Sequence, residues 1–149
     1  MLRIIKGASG MEIIEKKTFD EERALYGLRH AYVRDCAFTG PADGESALKE
    51  CEDIMAERCF CNLRYPFWHV HGLKIHDCDI TENGRAALWY SDHVDISESR
   101  LHGIKALREC HEVTVMKCDI VSNECGWFSR NVCMADCTVR SDYFMLHAR

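Results

Sequence analysis

The sequence lacks most of the marks that assign a chain to a class. It has no run of about 18 apolar residues, so no transmembrane helix is expected. Met1 to Gly10 carries two basic residues and no long apolar core, so no secretory signal is expected either. There is no basic tract. Lys plus Arg number 19 against 24 Asp plus Glu, a formal net charge of −5. That balance argues against nucleic acid and against an anionic membrane as partners. Two prolines and nine glycines in 149 residues leave little room for a flexible linker, and the length suits one compact domain.

Zinc-type cysteine spacing is missing as well. Ten cysteines are present, yet no two stand in a C-x-x-C pair, and Cys59-Phe60-Cys61 is not the usual ligand spacing. Ten cysteines without a secretory signal fit a reducing cytoplasm better than a disulfide-stapled exterior. The expected localisation is therefore cytoplasmic, and no metal or other cofactor is expected.

What the sequence does hold is a repeat. Cys36, Cys59, Cys78, Cys118 and Cys137 share one local pattern, with Ser99 in the same place between Cys78 and Cys118. The intervals are 23, 19, 21, 19 and 19 residues. Apolar or small residues stand five and three positions before each marker, from Ala31/Val33 to Val132/Met134. Another stands two positions after it: Phe38, Cys61, Ile80, Leu101, Ile120 and Val139. Eleven positions before come Leu25, Leu48, Phe67, Leu88 and Leu107, with Gly126 in the last copy. Period-2 alternation within each unit means strands with one buried face.

Three short strands and their turns use up roughly 20 residues, and such units bury their apolar face only by stacking. The expected fold is all-β: a right-handed parallel β-helix of about six coils plus an incomplete last coil. Residues 1–18 are read as an N-terminal cap or leader and 19–149 as a single β-helix domain. The marker column is read as a tight interior corner, where a small thiol packs well and serine is nearly isosteric. Cys51 and Cys110 form a second column with Val70, Ser91 and Ser129. Cys125 and Cys133 fall outside both columns and are expected to be more exposed.

Several segments then carry a family resemblance. They are Glu22-Arg23-Ala24-Leu25-Tyr26-Gly27, Asp43-Gly44-Glu45-Ser46-Ala47-Leu48-Lys49-Glu50, Tyr65-Pro66-Phe67-Trp68, Arg85-Ala86-Ala87-Leu88-Trp89-Tyr90 and Ser141-Asp142-Tyr143-Phe144. In this order and spacing the chain resembles the bacterial proteins grouped as domain of unknown function thirty-seven thirty-seven, within the pectin-lyase-like β-helices. The resemblance implies a right-handed β-helix and brings no catalytic or binding residue with it. Members usually continue for several more coils, so an open solenoid end, and a homodimer through its exposed edge, is one expectation.

Chemistry concentrates in a lateral stripe. Ten positions before the markers stand Tyr26, Lys49, Trp68, Trp89, Arg108 and Trp127. Nine before stand Gly27, Glu50, His69, Tyr90, Glu109 and Phe128. Aromatic platforms beside charged groups suit a polysaccharide or oligosaccharide, with Lys49, Trp68, Trp89, Tyr90, Glu109 and Trp127 as ligand contacts. The plainer reading is that these aromatics cover a sheet and the charges form surface pairs worth little. A glycan-active enzyme is the alternative, with Glu50, His69 and Arg108 as its catalytic set. Glu50 and Glu109 would stand three coils apart, roughly 14 Å, too far for either glycosidase geometry. A lyase needs a base, from His69 or Glu50, and a cation, from Lys49, Arg108 or Arg85. His69 and His71 with His93 or Asp92 are conceivable metal ligands. The Asp77, Asp79, Asp92, Asp95 and Asp119 carboxylates are conceivable Ca²⁺ ligands. Solvated turn residues are the commoner case for both sets. A purely structural protein stacking through its open end is the third reading.

Overall fold

The computed structural model describes residues 5–6, 10–40 and 45–149. Asp43 and Gly44 of the family segments, and most of the first nine residues, lie outside the described residues. The chain is a parallel β-solenoid of about seven turns. Its longest sheet stacks Glu12–Glu15, Arg29–Arg34, Glu52–Glu57, His71–His76, Asp92–Ser97, His111–Met116 and Arg130–Ala135 in sequence order. Ile5–Lys6 joins its first edge antiparallel. A second sheet stacks the short strands from Thr18–Phe19 to Thr138–Arg140. The third face is held by Leu88–Trp89 against Leu107–Arg108 and by single bridges at Glu45–Arg64 and Arg108–Trp127.

The repeat of the sequence is the register of the sheets. Leu73 faces Ile54 on one neighbour and Val94 on the other, and Val94 faces Val113. Each of these side chains is at most 2% exposed. Phe38, Cys61, Ile80, Leu101 and Ile120 line the interior of the second sheet, and Leu48, Phe67, Leu88 and Leu107 that of the third. Stacking equivalent residues places like side chains in contact every ~4.8 Å, so one apolar choice per coil builds a continuous core.

The solenoid begins earlier than position 19. Glu12–Glu15 and Thr18–Phe19 already pair in parallel with the next coil, and Ile14 is 1% exposed. In this coil the marker position is Lys17, which pairs one coil below Cys36 and is exposed. A cysteine count has nothing to register there.

The marker thiols have a defined job. The residue before each is in the left-handed region: Asp35, Arg58, Asp77, Glu98, Lys117 and Asp136 all have φ between 48° and 55°. This sharp corner turns the chain away from the ladder. Cys36, Cys59, Cys78, Cys118 and Cys137 each donate to the carbonyl two residues back, at 3.2–3.4 Å. Ser99 does the same at 2.8 Å. The second column repeats the device, with Cys51 donating to Lys49 O at 3.7 Å and Cys110 to Arg108 O at 3.4 Å, and it also reaches the preceding coil, with Cys51 donating to Leu25 O and Ser91 to Phe67 O, both at 3.2 Å. Burial pushes the Cys51 thiol up to about 11 and the Cys110 thiol up to about 12. Both stay protonated at neutral pH and serve as small donors.

Cys133 is exposed, as expected, but Cys125 is fully buried. Cys125 belongs to another inward column, twelve positions before the markers, with Ala47, Ala87 and Ala106. The column mixes alanines with Pro66 and this cysteine, which hides the pattern.

These contacts separate two buried cysteines. Cys78→Ser keeps the corner hydrogen bond, as Ser99 does, and is expected to cost less than about 1 kcal/mol. Cys61→Ser places a hydroxyl in the wholly apolar column of Phe38, Ile80 and Leu101, at about 1–3 kcal/mol. Phe67→Ala empties the third face and should cost about 3–5 kcal/mol. Denaturant titration of the three variants should rank them in that order.

Candidate functional site

Where the third face meets the long sheet, the chain turns through a column of left-handed residues. Gly27, Glu50, His69, Tyr90, Glu109 and Phe128 have φ between 51° and 70°. Left-handed backbone costs roughly 1–3 kcal/mol for a non-glycine residue. Here it marks the architecture and not a site, since the opposite corners show it too. Its consequence is directional. The next residue, Cys51, Val70, Ser91 or Cys110, is buried and locks the corner from below. The residues on either side project outward.

Two outward columns therefore flank each buried corner residue. One is Glu50, His69, Tyr90, Glu109 and Phe128. The other opens the long strands: His71, Asp92, His111 and Arg130, in mutual register. A groove runs between them. One stretch, about 410 Å³, is lined by Lys49, Glu50, Trp68, His69, His71, Tyr90, Ser91, Asp92, Glu109 and His111. A second, about 670 Å³, shares Tyr90, Glu109 and His111 with the first and continues past Phe128, Arg130, His147 and Arg149. Six successive corners span roughly 24 Å at the ordinary strand spacing.

Of the stripe read from sequence, Lys49, Glu50, Trp68, His69, Tyr90 and Glu109 line this groove. Trp89, Arg108 and Trp127 do not border it. Trp68 and Trp89 stack with centroids 5.4 Å apart and planes 9° off parallel. Lys49 Nζ sits 4.2 Å from the Trp68 centroid and Arg108 Cζ 5.0 Å from that of Trp89. Tyr65 leans on both indoles. This run of cation, two rings and cation occupies its own aromatic faces. It stabilises a face with few strand pairings, at about 0.5–1.5 kcal/mol per contact. Trp127 donates its indole N–H to Tyr143 O at 3.1 Å and packs edge-on against Phe128 and Tyr143. Arg108 also reaches Glu109, Nε to Oε1 at 3.3 Å. Arg85, the other cation considered, is exposed and stands outside the groove.

The groove is rich in histidine–carboxylate contacts. His69 Nδ1 lies 2.8 Å from Glu50 Oε2, and His71 Nδ1 lies 2.6 Å from Asp92 Oδ2. Asp92 Oδ1 takes His93 Nδ1 at 3.0 Å. No group of three or more His, Cys, Asp or Glu converges into a metal cage among the described residues. The aspartates considered for Ca²⁺ are dispersed: Asp79 meets Arg100, Asp119 meets His102, and Asp92 serves two histidines.

The sequence stripe omitted one wall of the groove. His111 and Arg130, seven positions before their markers, continue the column of His71 and Asp92. That offset carries only polar or charged residues from Arg29 to Arg130, a signal as periodic as the aromatic one. Aromatic residues drew the eye to the neighbouring column instead.

A parallel β-solenoid with a polar, histidine-bearing lateral groove is thus the class that fold and site define. The chain belongs to the family described as "Protein of unknown function (DUF3737)", whose model matches residues 12–149. That match starts where the parallel ladder starts. No curated protein matches the chain. No helix among the described residues is long and apolar enough to cross a membrane.

Asp92 makes the groove wall pH-dependent in a defined direction. Burial works against its ionisation, but hydrogen bonds from His93 and His71 outweigh that and hold its pKa below the ordinary 3.8. The hydrogen bond that His93 donates to the same carboxylate is the main cause raising His93 above 6.5. A raised histidine stabilises the fold fully below 6.5 and loses that contribution as pH rises through its higher folded value. A lowered carboxylate contributes above 3.8 and loses it as pH falls through its lower folded value. The cluster is at full strength between these two ordinary values. An NMR titration should place the His93 midpoint above 6.5, and Asp92→Asn should bring it down. A midpoint that does not move would show that the contact does not form in solution.

Proposed function

We propose that the groove binds an extended carbohydrate chain. The observation that carries this reading is its continuity. One trough passes six corners, with Tyr90 (43% exposed) and Phe128 (47% exposed) presented along it. Tyr90 lies parallel to Trp89 at 5.2 Å, which holds it rigid while it remains open to the groove. Phe128 is backed by His147 at 5.1 Å. Rigid aromatic platforms take the apolar faces of sugar rings, and the alternating carboxylates, imidazoles and guanidinium groups take their hydroxyls. The coil repeat of about 4.8 Å is close to the length of one pyranose unit, so a chain along the groove meets equivalent positions ring by ring. The aromatic contacts expected from the sequence are Trp68, Trp89, Tyr90 and Trp127. Here the stacked indoles act as a buttress and Tyr90 as the main contact.

The test is titration of a panel of neutral and acidic oligosaccharides against the protein, followed by isothermal calorimetry and by the fluorescence of Trp68 in the groove wall. Binding by at least one linear oligosaccharide is expected. Tyr90→Ala should weaken it by about 3- to 10-fold, the worth of one aromatic contact. Phe60→Ala, an exposed aromatic on the second sheet, should leave it unchanged. A panel with no binder would refute the reading.

A further inference from the structure

The column that opens the long strands runs at one offset from Arg29 to Arg149, and its charges divide. In its first four coils bases and acids alternate and neutralise one another. Arg29 meets Glu52 at 3.4 Å and His71 meets Asp92 at 2.6 Å. The next three coils carry bases alone: His111, Arg130 and Arg149. His111 and Arg130 are in direct register. Arg149 stacks on Arg130, because its N–H donates to Ser129 O at 3.0 Å and its carbonyl accepts Asn131 N–H at 2.8 Å. None of these three side chains has a carboxylate or hydrogen-bond partner among the described residues.

Like charges on facing positions of neighbouring strands repel and cost stability. The coil spacing of ~4.8 Å sets the two guanidinium stems side by side, and an anion lying across them relieves the repulsion. The run forms one wall of the larger stretch of the groove, about 670 Å³. The opposite wall is a flat platform, Phe128 stacked on His147 with centroids 5.1 Å apart and planes 17° off parallel. Among the described residues Glu109 is the only carboxylate side chain lining this stretch, and it already accepts from Arg108 Nε at 3.3 Å.

The number of donors says which anion fits. A carboxylate has one charge and two oxygens, and one bidentate guanidinium satisfies it. A phosphomonoester carries nearly two charges at neutral pH and three acceptor oxygens. Arg130 and Arg149 present planar forks of N–H donors that suit phosphate oxygens, and His111 adds a ring N–H.

We propose that this end of the groove is a phosphomonoester site. Arg130, Arg149 and His111 hold the phosphoryl oxygens, and Phe128, backed by His147, takes the ring that carries them. The phosphate contacts stand whatever that ring is; a sugar ring there rests on the reading of the groove as a carbohydrate site.

The test is calorimetry and phosphorus NMR of the whole chain with glucose 6-phosphate, adenosine monophosphate, inorganic phosphate and glucose. Glucose 6-phosphate is expected to bind about 10-fold or more tightly than glucose, the worth of a charge-assisted hydrogen bond. Arg130→Gln should weaken that binding by about 10-fold with an unchanged thermal midpoint. Phe128→Ala should weaken both esters by about 3- to 10-fold and leave inorganic phosphate unaffected. Arg29→Gln, in the same column but paired with Glu52, should change nothing. Preference for glucose 6-phosphate over adenosine monophosphate supports both the phosphate site and the sugar reading. The reverse preference supports the phosphate site and removes the sugar reading. Ester binding that survives the Arg130→Gln/Arg149→Gln double variant overturns the proposal, and so does inorganic phosphate bound with neither ester. If neutral oligosaccharides bind and no phosphate probe does, this proposal falls and the carbohydrate reading stands.

Discussion

Everything in this molecule depends on the corner. A parallel solenoid must turn its chain sharply several times per coil and still keep its coils bonded at each turn. At the marker corners the left-handed residue itself donates its N–H to the next coil, as Arg58 does to His76 O and Asp77 to Ser97 O. The thiol or hydroxyl just after the corner then donates to the carbonyl two residues back as its second partner, filling the remaining lone pair. Sulfur is well suited to this place because it is small, largely apolar and still a donor. The same solution recurs beneath the markers and beneath the groove, so the corners stack in register and the sheets between them follow.

The groove is a by-product of that corner. Because Cys51, Val70, Ser91 and Cys110 must point inward, their neighbours on both sides must point outward. Two polar columns then rise on either side of a buried line and enclose a trough. Which side chains meet across it is set by the stacking: Glu50 beside His69, His71 beside Asp92. The indole ladder next to it adds stiffness to a face whose coils are joined by single backbone hydrogen bonds, such as Glu50 N–H to Trp68 O and His69 N–H to Trp89 O, more than by regular strands. Its cations spend their charge on aromatic faces, which explains why Arg108 turns away from the groove and Lys49 stands at its edge.

The fold was legible because it is periodic. Val33, Ala56, Ile75, Ile96 and Val115 repeat at one offset and alternate within each coil, and nothing but stacked strands satisfies both periods at once. The columns failed where the residue type drifted while the geometry did not. Lys17 stands at a marker position without a thiol, and Cys125 stands among alanines. In each case the backbone place is conserved along the solenoid and the side chain is an exception to its own column.

By itself, the sequence determined the coil period, the inward columns and the membership of Lys49, Glu50, Trp68, His69, Tyr90 and Glu109 in one lateral stripe. These follow from one-dimensional offsets, since equivalent positions in a solenoid lie above one another. Only the tertiary structure decided that Trp68 and Trp89 spend their faces on each other, that His71 and Asp92 form the opposite wall, and that two imidazoles of one coil touch. Those outcomes turn on the direction in which a left-handed corner throws each side chain, and on which neighbour it meets first, and neither is written in the spacing of residues along the chain.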